Sequence, residues 1–139
     1  MMETRSTSFG RGLLGLVLAF PVALFTQGAL TDLAYLQTEE LQWSNFSAWA
    51  IVGGLVFGGV AFLWSLIGAI RVRTASHLLF SGVLLAMCLL GLLNAFKHSQ
   101  DGWSSVGTLG MTLSVICCVL GMIAGLMHYT GALDRGVVR

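Results

Sequence analysis

Small residues recur every three or four positions along one long apolar stretch of this chain, between residues 47 and 68. Large apolar residues such as Trp49, Phe57 and Trp64 occupy most of the other positions. The small residues, called here the second-span stripe, are Ser47, Ala50, Gly54, Gly58, Ala61, Ser65 and Gly68. On a helix they share one face, where a neighbouring helix could approach the backbone closely. Because the remaining surface is apolar, the pattern predicts a transmembrane helix packed against other helices.

The composition of the whole chain also indicates a membrane protein. Of its 139 residues, 56% are apolar and 9% are charged, and the mean hydropathy is +0.86. Soluble domains carry about 25% charged residues. Since one span needs about 20 apolar residues, we predict a single membrane domain, residues 1–139, with spans at about 12–36, 46–70, 77–96 and 106–129. The net charge of +1 argues against nucleic-acid binding, which needs a concentrated basic face.

Similar stripes of small residues occur in the other spans. The fourth span carries Gly107, Gly110, Ser114, Cys117, Gly121, Ala124 and His128 at this spacing, with Gly125 beside them. The third span carries His77, Ser81, Leu84, Cys88, Gly91 and Ala95, and the first carries the looser series Gly12, Gly15, Ala19, Val22, Thr26 and Ala29. Steps of three and four favour left-handed helix packing with crossing angles near about +20°. The predicted fold is therefore an all-α, antiparallel four-helix bundle in the membrane.

The basic residues predict the orientation of the bundle. With four spans, both termini and the loop between the second and third spans lie on one side. That side holds Arg5, Arg11, Arg71, Arg73, Arg135 and Arg139, whereas the other side holds only Lys97. Cytoplasmic loops are rich in Lys and Arg, so we predict that both termini are cytoplasmic.

Two histidines give the sharpest cofactor hypothesis. His77 opens the third span and His128 closes the fourth, so both are expected at the cytoplasmic end of the bundle. Two imidazoles on facing helices could ligate a b-type haem. The alternative is that each histidine is an ordinary helix-end residue bonded to a carbonyl or a lipid headgroup. An absorbance spectrum without a Soret band would exclude the haem.

Polar residues inside the spans give a second hypothesis. Gln27 and Asp32 lie in the first span and Asn94 in the third. An acid within a span is a functional candidate, here for a small-solute or proton pathway. Interhelical hydrogen bonding is the simpler role for Gln27 and Asn94, and Asp32, about one turn from the outer end, could reach solvent.

The sequence contains no recognisable catalytic set. It has no paired catalytic carboxylates, nucleophile motif, phosphate-binding loop or metal-binding HExxH sequence. Cys88, Cys117 and Cys118 all lie in apolar runs, where thiols usually pack as small apolar side chains. We therefore predict that the protein is not an enzyme.

Several short motifs resemble a known family. They are Phe20-Pro21-Val22-Ala23-Leu24 followed by Asp32, Trp49 with Gly54-Leu55-Val56, and His77 after Arg71 and Arg73. In these motifs the chain resembles a bacterial family of small four-span inner-membrane proteins that carry a domain of unknown function. The resemblance implies location in the bacterial inner membrane and a role beside membrane redox systems.

The chain departs from the family pattern at two places. Family members often have histidines before the Phe-Pro pair, but the approach from Gly12 to Ala19 has none. An acid often ends the second span, where this chain has Ala69 and Ile70. If the family histidines form a cofactor site, part of that site is missing, which weakens the haem hypothesis.

The leading functional prediction is a small accessory or structural subunit. Its partners would be the lipid bilayer and the helices of a larger membrane complex or of further copies of itself. Gly53 and Gly59 lie off the second-span stripe, so the chain has more small-residue surface than one bundle can turn inward, and the surplus would contact other helices. Haem-based electron transfer and a polar pathway remain the alternatives.

Overall fold

A computed structural model describes residues 3–100 and 106–133, with side chains described from residue 9 onward. Within these residues the chain forms four helices, and each is long and apolar enough to cross a membrane. They are α1 (Glu3–Thr38), α2 (Leu41–Val72), α3 (Ala75–His98) and α4 (Gly107–Tyr129). The predicted all-α architecture with four spans is confirmed.

The four helices form a bundle in which each packs mainly against two others. α1 packs against α2 and α4, and α3 packs against the same two helices. Contacts between the end of α4 and the start of α1 include a hydrogen bond from His128 Nε2 to the Arg11 carbonyl, at 3.1 Å. The beginning of α1 and the end of α4 therefore share one end of the bundle, called here the terminal end. The opposite end is called the distal end.

The connections from α1 to α2 and from α2 to α3 are shorter than the sequence suggested. The polar segment 37–45 was predicted to be a connector, but only Glu39 and Glu40 separate α1 from α2. Glu39 has a φ of 58° and Glu40 is extended, which is enough to reverse the chain. At the other end of α2, Arg73 has a φ of 54°, and its backbone N–H bonds to the Ala69 carbonyl at 2.9 Å. α1 and α2 consequently extend beyond their predicted spans, and α3 extends by two residues at each end, whereas α4 stays within its predicted span.

The small residues of α2 and α4 lie where the helices pack together. On these two helices the predicted packing residues Gly54, Gly58, Ala61, Ser65, Gly121 and Gly125 are buried. Gly68 is half-buried, and Ala69 takes the buried position beside it. A Cβ on Gly121 would lie 3.7 Å from Val22 Cα and 3.8 Å from the Pro21 carbonyl oxygen, so this glycine brings α4 against the backbone of α1.

The buried face of α1 differs from the predicted one. Gly15 is buried, but Gly12 and Ala19 are exposed and the other members of the predicted stripe are half-buried. The residues that α1 does bury are Leu14, Gly15, Leu18, Pro21, Phe25, Gly28, Thr31, Asp32 and Tyr35. Large side chains on α1 fill the space that small residues leave on its neighbours. The Phe25 ring, for example, would lie 3.1 Å from a Cβ on Gly54 and 3.0 Å from one on Gly91.

The buried face of α3 is also rotated from the predicted one. Phe80, Met87, Asn94 and His98 are buried, whereas His77, Cys88 and Ala95 of the predicted stripe are only half-buried. This rotation, together with the extension of α3 to His98, turns two polar side chains into the bundle.

Candidate polar site at the distal end

Five polar side chains from all four helices meet in the core near the distal end. They are Asp32 of α1, Ser47 of α2, Asn94 and His98 of α3, and Ser114 of α4, called here the polar cluster. Helical spacing positions them: Asp32 follows Phe25 by two turns on the buried face of α1, and His98 follows Asn94 by one turn on α3. Every residue of the cluster is buried.

The Asp32 carboxylate is the centre of the cluster. It is completely buried, and His98 Nε2 lies 2.8 Å from its Oδ1 atom. Ser114 Oγ donates a hydrogen bond to its Oδ2 atom. Asn94 Nδ2 in turn donates to Ser114 Oγ at 2.7 Å. The carboxylate therefore receives a partner on each oxygen, as a buried acid requires.

The surroundings of His98 fix the number of protons in the pair. Its Nδ1 atom lies 2.9 Å from the Asn94 carbonyl oxygen, which can only accept, so Nδ1 carries a proton. The contact between His98 Nε2 and Asp32 Oδ1 then contains one further proton. Whether this proton resides on the nitrogen or the oxygen, the net charge of the pair is zero. A neutral pair avoids the large cost of an isolated charge in the membrane interior.

Ser47 and the backbone of α1 complete the contacts around the histidine. Ser47 Oγ donates to the Gly28 carbonyl at 3.2 Å and lies 3.3 Å from His98 Nε2. Thr31, one position before the acid, donates instead to the carbonyls of Gln27 and Gly28. These bonds tie α1, α2 and α3 together at one depth.

One acceptor in the cluster lacks a partner. In the described part of the chain, the Oδ1 atom of Asn94 is a buried side-chain atom without a hydrogen bond. Because most buried acceptors are satisfied, this atom marks capacity for one more donor. If the Asn94 amide turned over, Ser114 Oγ could donate to Oδ1, and Nδ2 would take the unpartnered position.

The predicted haem histidines lie at the terminal end but contact different neighbours. His77 Nδ1 is 2.8 Å from Thr74 Oγ1, in the first turn of α3, and its ring approaches Gly68 of α2. His128 Nε2 is bonded to the Arg11 carbonyl of α1, and its ring stacks against Phe80 with a centroid distance of 6.5 Å. The Nε2 atom of His128 is therefore engaged by the backbone, which does not fit ligation of iron by that atom.

The other predicted candidates lie apart from the cluster. Gln27 is exposed on the outer surface of α1, so it does not join the polar pathway proposed for it with Asp32. The three cysteines are free, and Cys117 packs in the core. Among the described residues, no three His, Cys, Asp or Glu side chains come together as a metal site. Asp101, Trp103, Arg135 and Arg139 lie outside the described residues, as does the side chain of Arg5.

The sequence identified Asp32 and Asn94 but not the residue that pairs with the acid. His98 was assigned to a loop because the third span was predicted to end near Phe96. The four-residue spacing from Asn94 to His98 was the available signal, since it places both on one helix face. Ser47 and Ser114 were recognised only as small packing residues.

A family model described as a predicted membrane protein (DUF2231) matches residues 15–135 of the chain. The chain belongs to this family. DUF2231 denotes a domain of unknown function, so membership supports the four-span membrane architecture and assigns no activity to the polar cluster. Comparisons with curated proteins and with solved structures give no significant match.

Proposed function

We propose that this protein is a small accessory subunit of the bacterial inner membrane, without catalytic activity of its own, that packs against a transmembrane helix of another chain. One observation carries the proposal. A Cβ placed on Gly59 of α2 or on Gly82 of α3 would have no neighbouring atom within 4 Å. Small residues let transmembrane helices approach closely, whereas lipid gains nothing from them.

The surroundings of these glycines suit a helix as the occupant. Gly59 lies between the exposed side chains of Val56 and Val60, and Gly82 lies beside exposed Leu78 and Leu85. Each glycine is therefore a notch in a ridged apolar surface, into which a neighbouring side chain could fit. Gly53, the other glycine expected on this surface, is already covered by Leu24 of α1, so it does not contribute.

The proposal is tested by filling the notches. We would solubilise native membranes in mild detergent and compare the wild type with Gly59→Leu and Gly82→Leu on native gels. The wild type is expected in a complex larger than the monomer, and the leucine variants are expected to shift toward the monomer. Val60→Leu, a lipid-facing change beside the notch, is the matched control. A monomeric wild type, or leucine variants that assemble like the wild type, would contradict the proposal.

A second candidate function is proton binding at the polar cluster, favoured by the complete burial of Asp32 beside His98. The titratable groups of the cluster are these two, since α2 and α4 contribute only Ser47 and Ser114. If the pair takes up a second proton, so that His98 is an imidazolium beside a protonated Asp32, the pair carries one positive charge. If the Asn94 amide also turns over, Asp32 can donate to Ser114 and Ser114 can donate to Asn94 Oδ1. Asn94 Oδ1 is then paired, and Nδ2 takes the position that lacks a partner.

Infrared spectroscopy would test the second candidate. A protonated carboxyl band should grow as the pH falls and should be absent in Asp32→Asn. The same variant should abolish any proton flux that wild-type protein supports in proteoliposomes. A carboxyl signal that does not change over the pH range in which the bundle stays folded would assign the cluster to a purely structural role.

A further inference from the structure

A long groove runs along the outer surface between α1 and α4, starting at the terminal end. It consists of two adjoining depressions of about 520 and 560 Å³, which share Ala19 and Tyr129 in their linings. The first extends toward Thr26 in the middle of α1, and the second ends at Arg11. With about 1.5 Å of rise per residue, the distance from Arg11 to Thr26 is about 22 Å, which exceeds half of a hydrocarbon core about 30 Å thick.

The small residues of α1 make the groove. Gly12, Ala19 and Ala23 line it, and these belong to the side of α1 that does not face the core. Gly125 of α4 lies opposite, close to Val22. Gly12 and Ala19 of the first-span series thus line a concave outer surface, whereas Gly15 of the same series is buried.

The wall of the groove is apolar and its few polar groups already have partners. Thr26 Oγ1 donates to the Val22 carbonyl at 2.6 Å. The Tyr129 hydroxyl donates to the Gly15 carbonyl at 2.6 Å, which fixes the ring between the two depressions. Along most of its length, therefore, the groove offers van der Waals contacts and no directional polar contacts.

The end of the groove differs because a basic side chain lines it. Arg11 lines the groove at the terminal end, and its side chain is exposed. Basic groups between transmembrane helices near the membrane surface attract anionic lipid headgroups. A basic side chain at one end of the groove complements the phosphate of a phospholipid, and the apolar wall of the groove complements an acyl chain.

We propose that the α1–α4 groove binds an anionic phospholipid from the leaflet at the terminal end, with the phosphate against Arg11 and one acyl chain along Gly12, Ala19 and Ala23. The outcome does not depend on the accessory-subunit proposal, because Gly59 and Gly82 lie on other helices. The lipid would lie against the contact between α1 and α4.

The test compares lipids bound to purified protein by native mass spectrometry. Protein in mild detergent is titrated with phosphatidylglycerol, phosphatidylcholine or inorganic phosphate. We expect one phosphatidylglycerol to remain bound, with weaker retention of phosphatidylcholine and none of phosphate. Arg11→Gln should weaken phosphatidylglycerol binding about fivefold, the effect of one basic residue near the surface. Binding of phosphatidylcholine should weaken less in this variant, because its choline group offsets the charge of the phosphate.

Two further variants make the test specific. Arg73→Gln removes the same charge at the same end of the bundle but outside the groove, so it should bind phosphatidylglycerol like the wild type. Ala19→Phe should fill the groove and reduce binding of both lipids. Equal affinity of the wild type for both lipids, equal losses in Arg11→Gln and Arg73→Gln, or unchanged binding in Ala19→Phe would each overturn the proposal. Tryptophan fluorescence melting verifies that each variant is folded.

Discussion

The two members of the Asp32–His98 pair should respond differently to substitution. In Asp32→Asn, neutral His98 can keep its Nδ1 bond to the Asn94 carbonyl and accept at Nε2 from the new amide. In His98→Leu, Asp32 loses the partner that neutralises it inside the core. Removing one partner of a buried pair costs about 3–5 kcal/mol, whereas single polar contacts in membrane proteins average about 0.6 kcal/mol. We expect losses of about 1 kcal/mol for Asp32→Asn and about 3 kcal/mol for His98→Leu.

Unfolding in mixed detergent micelles, followed by tryptophan fluorescence, measures these losses. The double variant Asp32→Asn/His98→Leu should lose less than the sum of the two single variants, because the charge that His98→Leu leaves behind is absent. Gln27→Leu is the control, since Gln27 is exposed on the same helix, and it should change the free energy of unfolding by less than about 0.5 kcal/mol. Additive losses would show that the pair is not coupled.

Within one helix, alanine substitutions at glycines on opposite sides of α2 should change the stability of the monomer in opposite directions. A Cβ on Gly54 would lie 3.1–3.3 Å from the fully buried ring of Phe25, so Gly54→Ala should destabilise the monomer by about 1–3 kcal/mol through overpacking. Gly59 has open space around it, and Gly59→Ala should stabilise the helix by up to about 1 kcal/mol. The same unfolding measurement on monomeric protein tests both expectations. Equal changes in the free energy of unfolding for the two variants would contradict the packing described.

The small-residue stripes of α1 and α2 show how much of the helix packing the sequence could predict. Apart from Gly68, the stripe on α2 lies in the core, and most positions on the other faces of this helix carry large residues such as Trp49 and Val56. The stripe on α1 has the same spacing, yet Gly12 and Ala19 face outward. Small residues indicate that something can approach the backbone, and they do not specify whether a helix of the same bundle does so. On α1 that choice depends on Phe25 fitting against Gly54 and Gly91, which is a matter of three-dimensional packing.

The polar cluster was only partly predictable for a related reason. Asp32 and Asn94 stand out as polar residues within apolar runs, but their partners lie 66 and 20 residues away along the chain. His98 looked like a loop residue because Lys97 and Ser99 flank it. Its burial follows from two extra residues of α3, and helix ends are the least certain part of any assignment based on sequence pattern.

At the scale of the whole molecule, the distribution of cations predicts how the bundle lies in the membrane. Arg11, Arg71 and Arg73 belong to the terminal end of the described bundle, whereas Lys97 lies at the distal end, where it donates to Gln100 Oε1 at 2.9 Å. If the positive-inside rule governs insertion, the polar cluster lies toward the periplasmic side. The Arg11 end of the lipid groove then meets the cytoplasmic leaflet, which carries anionic lipids.

Reporter fusions test this orientation directly. Green fluorescent protein fused after Arg139 should fluoresce and alkaline phosphatase fused there should be inactive, whereas insertion of either reporter between residues 101 and 105 should give the opposite result. Replacing Arg71 and Arg73 with glutamine removes two of the cations near the turn between α2 and α3, so a fraction of the molecules should insert the other way. Lys97→Gln, the control, should leave the orientation unchanged. Active phosphatase at the C-terminal fusion of the wild type would reverse the assignment and place Arg11, with the proposed lipid, in the outer leaflet.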